Sequence, residues 1–176
     1  MRRKHGACRF SVGENIRCEL CEITAHLSGV ILSAAAGAAL LILGYILFGG
    51  PCRVVMFFRI PGGGFAVVMH YVLWILMFAA AGAELYLLKC ISGRSSGEAA
   101  LYHLAAHLCM FIWYPLFFTT MAQFLALIVI GTAAVLSVLA AKSARAVTTT
   151  VCVSMIVKAA VCAIYFYINL AFLIIN

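Results

Sequence analysis

The sequence predicts an all-α integral membrane protein, a bundle of five transmembrane helices. Three observations carry that expectation. Of 176 residues, 66% are hydrophobic and 10% are charged, against roughly 45–50% and about 25% in soluble domains. The apolar residues gather into five runs, each long enough for the ~30 Å hydrocarbon core, which a helix of about 20 residues crosses. Between them stand glycine, proline, serine and clustered charge, the residues that end helices. In lipid every backbone polar group must be satisfied internally, so such runs cross as helices.

The first span is expected over residues 23–48, where Gly49-Gly50-Pro51 terminates it. After the loop CRVVMFFRIPGGG the second covers 65–89, and the hinge ISGRSSGE sets Ser95 and Glu98 at capping-box spacing before the third, 98–118. A turn near Thr119 and Thr120 leads into the fourth, 122–141; KSAR breaks the chain again, and the fifth runs over 147–175. Residues 1–22 form an N-terminal segment too short to enclose a core. Arg2, Arg3 and Lys4 are followed by Arg9, Glu14, Arg17, Glu19 and Glu22, where a secretory signal needs an uninterrupted apolar stretch. The first span is therefore expected to persist.

Lys and Arg set the orientation. With the N-terminus cytoplasmic, that side holds Arg2, Arg3, Lys4, Arg9, Arg17, Lys89, Arg94, Lys142 and Arg145, and the other side only Arg53 and Arg59. The expectation is N-terminus in and C-terminus out, in a bacterial plasma membrane. The net charge of +7 then reflects orientation, and no soluble surface interleaves basic and aromatic residues for nucleic acid.

Cys109, Cys152 and Cys162 lie within spans, and Cys8, Cys18, Cys21 and Cys90 fall on the expected cytoplasmic side. Most are read as reduced, small apolar side chains. His5 and Cys8 followed by Cys18 and Cys21 make two short-spaced pairs, a pattern that suits tetrahedral zinc, with a redox CxxC as the other reading and chance placement in a terminus as the third.

Several polar residues stand inside the spans. Lys158 lies twelve residues into the fifth, roughly 18 Å from its inner end. It faces a cavity or a partner, or it snorkels outward. His103 and His107, four apart, share a helix face. They hold a metal or haem iron, or they bond neighbouring helices. Glu84, near the inner end of the second span, is expected to reach the interface and pair with Lys89. Counted along the helices, Trp113, Lys158 and His70 fall at a similar depth. That zone is either a site for a flat amphipathic ligand or aromatic packing at the outer interface. Pro115, inside WYPLFF, sits near the outer end of its span, where the next turn leaves carbonyls free in any case. Its cost is smaller there than in a helix interior.

Over residues 25–176 the chain resembles the translocator protein family, also called tryptophan-rich sensory proteins. The third span ends in Trp113-x-Pro115-Leu116-Phe117-Phe118, the last carries Asn169 and Asn176 seven apart, and the second holds Pro61, Gly63 and Trp74-x-x-Met77. It departs where relatives have tryptophans, at His70 and Val161, and where a Pro-Tyr pair aligns with Val157 and Lys158. The glycine run PGGGF replaces a first loop rich in Trp and Pro, and no basic residue follows Tyr165 or Tyr167 to complete a cholesterol pattern.

The resemblance implies a five-helix bundle, usually a homodimer, whose pocket binds porphyrins, sterols and synthetic hydrophobic ligands. It implies His70, Trp74, His107, Trp113, Phe117, Phe118, Lys158 and Asn169 as candidate pocket residues. Light-dependent porphyrin degradation, reported for some bacterial relatives, is not expected with His70 and Val161 at the tryptophan positions. The sequence thus supports a membrane sensor or carrier of a tetrapyrrole or sterol-like lipid, with no required cofactor and porphyrin or haem as ligand. A redox or metal enzyme built on the N-terminal Cys/His cluster is one alternative. A small secondary transporter using Glu84 and Lys158 is the other; the lack of an internal inverted repeat weighs against it.

Overall fold

The computed structural model of the protein describes residues 20–21, 23–49, 63–91 and 97–175. Five long helices account for nearly all of them: α1 (Leu27–Phe48), α2 (Gly63–Ile91), α3 (Gly97–Phe118), α4 (Gln123–Ala144) and α5 (Thr149–Ile175). All five are long and apolar enough to cross a membrane, and no strand occurs among the described residues. The expected fold class therefore stands.

Boundaries differ in small ways that matter later. A helical turn over residues 23–25 is interrupted at His26 before α1 begins. α2 extends two residues beyond each of its expected ends. α4 passes through Lys142 and Ser143 to Ala144, so the KSAR break falls later than expected. Alanine and lysine are strong helix formers, and the Arg145 N–H still bonds the Ala141 carbonyl at 3.0 Å. Ser95, the expected cap of α3, lies outside the described residues, while Glu98 stands in the first turn.

Successive helices run antiparallel. One end of the bundle carries the α2–α3 and α4–α5 connections together with Lys89, Lys142 and Arg145, and is called here the basic end. The opposite end carries the α3–α4 turn and Pro115. α1 packs closely on α2, and α3, α4 and α5 form a second closely packed unit; α2 meets α3 and α5 mainly through long side chains.

The α1–α2 seam is tight because glycine faces backbone. A Cβ on Gly37 would strike the Phe78 carbonyl, and one on Gly82 the Ser33 carbonyl. In a bilayer, apolar burial gives helices little reason to associate, since lipid tails are equally apolar, so close contact between small residues supplies the attraction. Correspondingly, much of the outer surface is leucine, isoleucine and valine, including Leu32, Ile46, Leu76, Val135 and Ile174.

At the Pro115 end the chain reverses with its carbonyls satisfied. The Thr119 and Thr120 N–H groups both bond the Pro115 carbonyl at 2.9 Å, and the Ala122 N–H bonds that of Leu116 at 3.0 Å. The Gln123 side chain donates to the Phe117 carbonyl at 3.2 Å. Met121 takes the turn's left-handed conformation, φ 56°. Pro115 therefore sits one turn before a reversal that absorbs its neighbours' free carbonyls. α1 ends at Gly49, φ 78°, a backbone region open to glycine at little cost. The Gly49 carbonyl accepts from the Tyr114 hydroxyl and the Phe48 carbonyl from Thr119, which ties the first helix to the third.

Candidate functional site

The interior between the α1–α2 hairpin and the α3–α5 unit divides into two layers. Nearer the Pro115 end it is aromatic. Trp74 of α2 and Trp113 of α3 stack with ring centroids 5.0 Å apart and planes 15° from parallel. They are 0% and 1% exposed. Trp113 continues onto Phe117, also stacked, and meets Phe118 edge-on. His70 lies against Tyr114, Phe118, Tyr165 and both tryptophans, and its Nδ1 is 3.0 Å from the Tyr165 hydroxyl. Asn169 is wholly buried on α5, with neither amide atom hydrogen-bonded among the described residues.

Toward the basic end the interior turns polar. Glu84 of α2 and Lys158 of α5, 4% and 2% exposed, form an ion pair with Nζ 2.5 Å from Oε2. The Ser154 hydroxyl donates to the other carboxylate oxygen. His103 of α3 brings Nδ1 to 3.4 Å from Oε2, and its Nε2 donates to the Ala81 carbonyl at 3.1 Å. One turn on, the His107 Nδ1 donates to the His103 carbonyl at 2.8 Å. A carbonyl can only accept, so these bonds fix the N–H positions. Each oxygen of the Glu84 carboxylate thus accepts one hydrogen bond, from Ser154 or from Lys158, as a charge buried in lipid requires.

Two expectations are corrected. Glu84 does not reach the interface or pair with Lys89; it is buried and pairs with Lys158. Nor does Lys158 share a zone with His70 and Trp113. On α5 it is Tyr165, two turns beyond Lys158, that meets them. Helix ends explain both outcomes. Glu84 stands seven residues before the end of α2 at Ile91, and Lys158 nine residues after the start of α5 at Thr149, at the same end of the bundle. At 1.5 Å per residue their depths differ by only about 3 Å, and the lysine arm spans the rest. The snorkelling alternative for Lys158 is thereby removed.

Beside the polar layer a groove of about 760 Å³ opens between α1, α2 and α3. α1 contributes Gly37, Leu40 and Gly44, α2 contributes Phe78, Ala81 and Tyr86, and α3 contributes His103, Leu104, His107 and Phe111, with Lys89 near the basic end. Leu40, Leu43 and Leu47 on one lip and Leu104 and Leu108 on the other are exposed, so the groove opens sideways, toward what would be lipid. Its walls are apolar apart from the two histidines, Lys89, Tyr86 and Ser33.

The eight candidate pocket residues do not share this space. His70, Trp74, Trp113, Phe117 and Phe118 pack on one another, Lys158 belongs to the ion pair, and Asn169 is sealed in α5; only His107 lines the groove. Sequence reasoning missed Ser154, Tyr165 and the role of His103 beside Glu84. For the last the sequence offered only the residue types, since the expected helix ends put Glu84 and Lys158 at different depths.

Of the proposed metal ligands, His5, Cys8 and Cys18 lie outside the described residues, and Cys21 is exposed and free. Among the described residues no group of three or more His, Cys, Asp or Glu is placed to hold a metal ion. His103 bonds the neighbouring α2 through Nε2 and the Ala81 carbonyl, with Nδ1 3.4 Å from Glu84, whereas His107 bonds a carbonyl of its own helix through Nδ1 and leaves Nε2 without a partner among the described residues. No protein-family model, curated protein or solved structure matches the chain.

Proposed function

We propose that this membrane protein takes a hydrophobic ligand from the bilayer into the groove between α1, α2 and α3, as a sensor or carrier. The observation that carries the reading is the groove itself: about 760 Å³, apolar-walled, leucine-lipped and bordered by two histidines. That volume lies within the ~300–1,000 Å³ range of small-molecule sites, and a few polar groups in an apolar wall are what orient such ligands. A tetrapyrrole or a sterol-like lipid fits the size and the chemistry, in keeping with the resemblance to translocator proteins. We place the N-terminus in the cytoplasm of a bacterial plasma membrane, because the basic end of the bundle would face inward. Binding without degradation is the expected activity.

The test is titration of the purified protein with protoporphyrin IX, haem and cholesterol, read for the porphyrins by quenching of Trp74 and Trp113, and for cholesterol by competition. Ala36→Phe, an exposed position on the α1 wall, fills the groove without entering the core. It should weaken binding at least about tenfold, or ~1.4 kcal/mol. Binding unchanged in Ala36→Phe would move the ligand elsewhere, and no binding of any of the three would end the reading.

A second reading, a secondary transporter, is favoured by one observation: a buried acid–base pair adjoining the groove through His103. Ionisable groups in membrane spans commonly mark ion pathways.

A further inference from the structure

His103 is held with one nitrogen committed. Its Nε2 hydrogen points to the Ala81 carbonyl at 3.1 Å, so in the neutral ring Nδ1 is a bare acceptor. That acceptor faces Oε2 of Glu84 at 3.4 Å. Oε2 is itself an acceptor, already taking Lys158 Nζ at 2.5 Å, and Oε1 takes the Ser154 hydroxyl. Two acceptor atoms 3.4 Å apart in a low-dielectric interior repel, and a proton on Nδ1 converts that contact into a charge-assisted attraction. The arrangement is short of one proton.

We propose that Glu84, Lys158 and His103 form a membrane-embedded proton-binding site, in which His103 Nδ1 takes up one proton beyond the ion pair and donates it toward Glu84 Oε2. The proton comes from water. Uptake leaves an imidazolium, a carboxylate and an ammonium, a net gain of one positive charge. The ionisable groups that face His103 are Glu84 from α2, Lys158 from α5, and His107 from its own helix; Cys162 stands one turn beyond Lys158. α1 carries no Asp, Glu, Lys, Arg or His, and Lys142 of α4 is exposed at the basic end. His103 also borders the groove, so the proton is held beside the space where a ligand would lie, as a proton-linked carrier requires. The proton site stands on the cluster alone: a groove that binds nothing leaves it intact.

The experiment is 15N NMR of the full chain in lipid nanodiscs, with histidine and lysine labelled. The five histidines are assigned by replacing His5, His26, His70 and His107 singly with glutamine. On acidification His103 should pass from one hydrogen-bearing nitrogen to two, a gain of one proton per chain, while the Lys158 ammonium signal persists. Nδ1 remaining bare down to the pH of unfolding overturns the proposal. So does a proton gained on Nδ1 with loss of the Lys158 ammonium, since nothing would then have been taken up. The uncharged double variant Glu84→Gln, Lys158→Met supplies the second arm. There the glutamine amide can donate to Nδ1, so the two-hydrogen state should be lost; its persistence also overturns the proposal. Should that variant fail to fold, the wild-type titration decides alone.

Discussion

Two layers of one bundle, built from the same three helices, solve the problem of an interior in lipid by opposite means. Near Pro115, α2, α3 and α5 meet through rings: Trp74 on Trp113, Trp113 on Phe117, His70 on Tyr165. Toward the basic end the same helices meet through charge: Glu84 of α2, His103 of α3 and Lys158 of α5. The aromatic layer gains its attraction from dispersion, divided over many contacts, with only a modest preference for particular ring arrangements. The polar layer gains its attraction from a few directed bonds, and each member removed leaves another charge without a partner. The difference teaches where this fold tolerates change. The aromatic layer should lose stability in proportion to volume removed, the polar layer in proportion to charge left unpaired.

The largest effect should come from separating the ion pair. Glu84→Leu strands the Lys158 ammonium and should cost about 3–5 kcal/mol, whereas the double variant Glu84→Leu, Lys158→Leu should recover most of that loss. Unfolding in mixed detergent micelles measures both, and equal losses in the single and double variants would show that the two side chains do not stabilise each other. Next, Trp113→Ala opens a cavity among Trp74, Phe117 and Tyr165 and should cost about 3 kcal/mol. Trp113→Phe should return most of it, as expected if volume is what that layer requires. The smallest effect belongs to Tyr165→Phe, which removes only the hydroxyl bonded to His70 and should cost about 1 kcal/mol. A loss there as large as that of Glu84→Leu would mean that the aromatic layer, too, is held by a directed polar bond.

The sequence by itself determined the fold class, the number of spans and most of their ends. Twenty-residue apolar runs in lipid must close their own hydrogen bonds, and glycine and charge mark where they stop. Gly49, the α3–α4 turn at Thr119 and Thr120, and the place of Pro115 next to that turn were all legible from local composition. The site was legible only in part. Helical rise put Trp113 and His70 at one level correctly, because α3 ends at Phe118 as expected and the two-residue shift at the start of α2 moves His70 by only about 3 Å. It misplaced Glu84 and Lys158, because two extra residues on α2 and a later start of α5 bring them level.

Rotation about the helix axes was the larger omission. Composition tells which residues are apolar, but in a span that is apolar all round it does not tell which face meets a neighbour. Only the tertiary packing decided that Gly37 and Gly82 set α1 against α2, that the tryptophans fill the interior between α2 and α3, and that the open space lies on the α1 side of His103 and His107. Lipid imposes length and internal hydrogen bonding on each helix separately; which side chains meet is a property of helices fitted together.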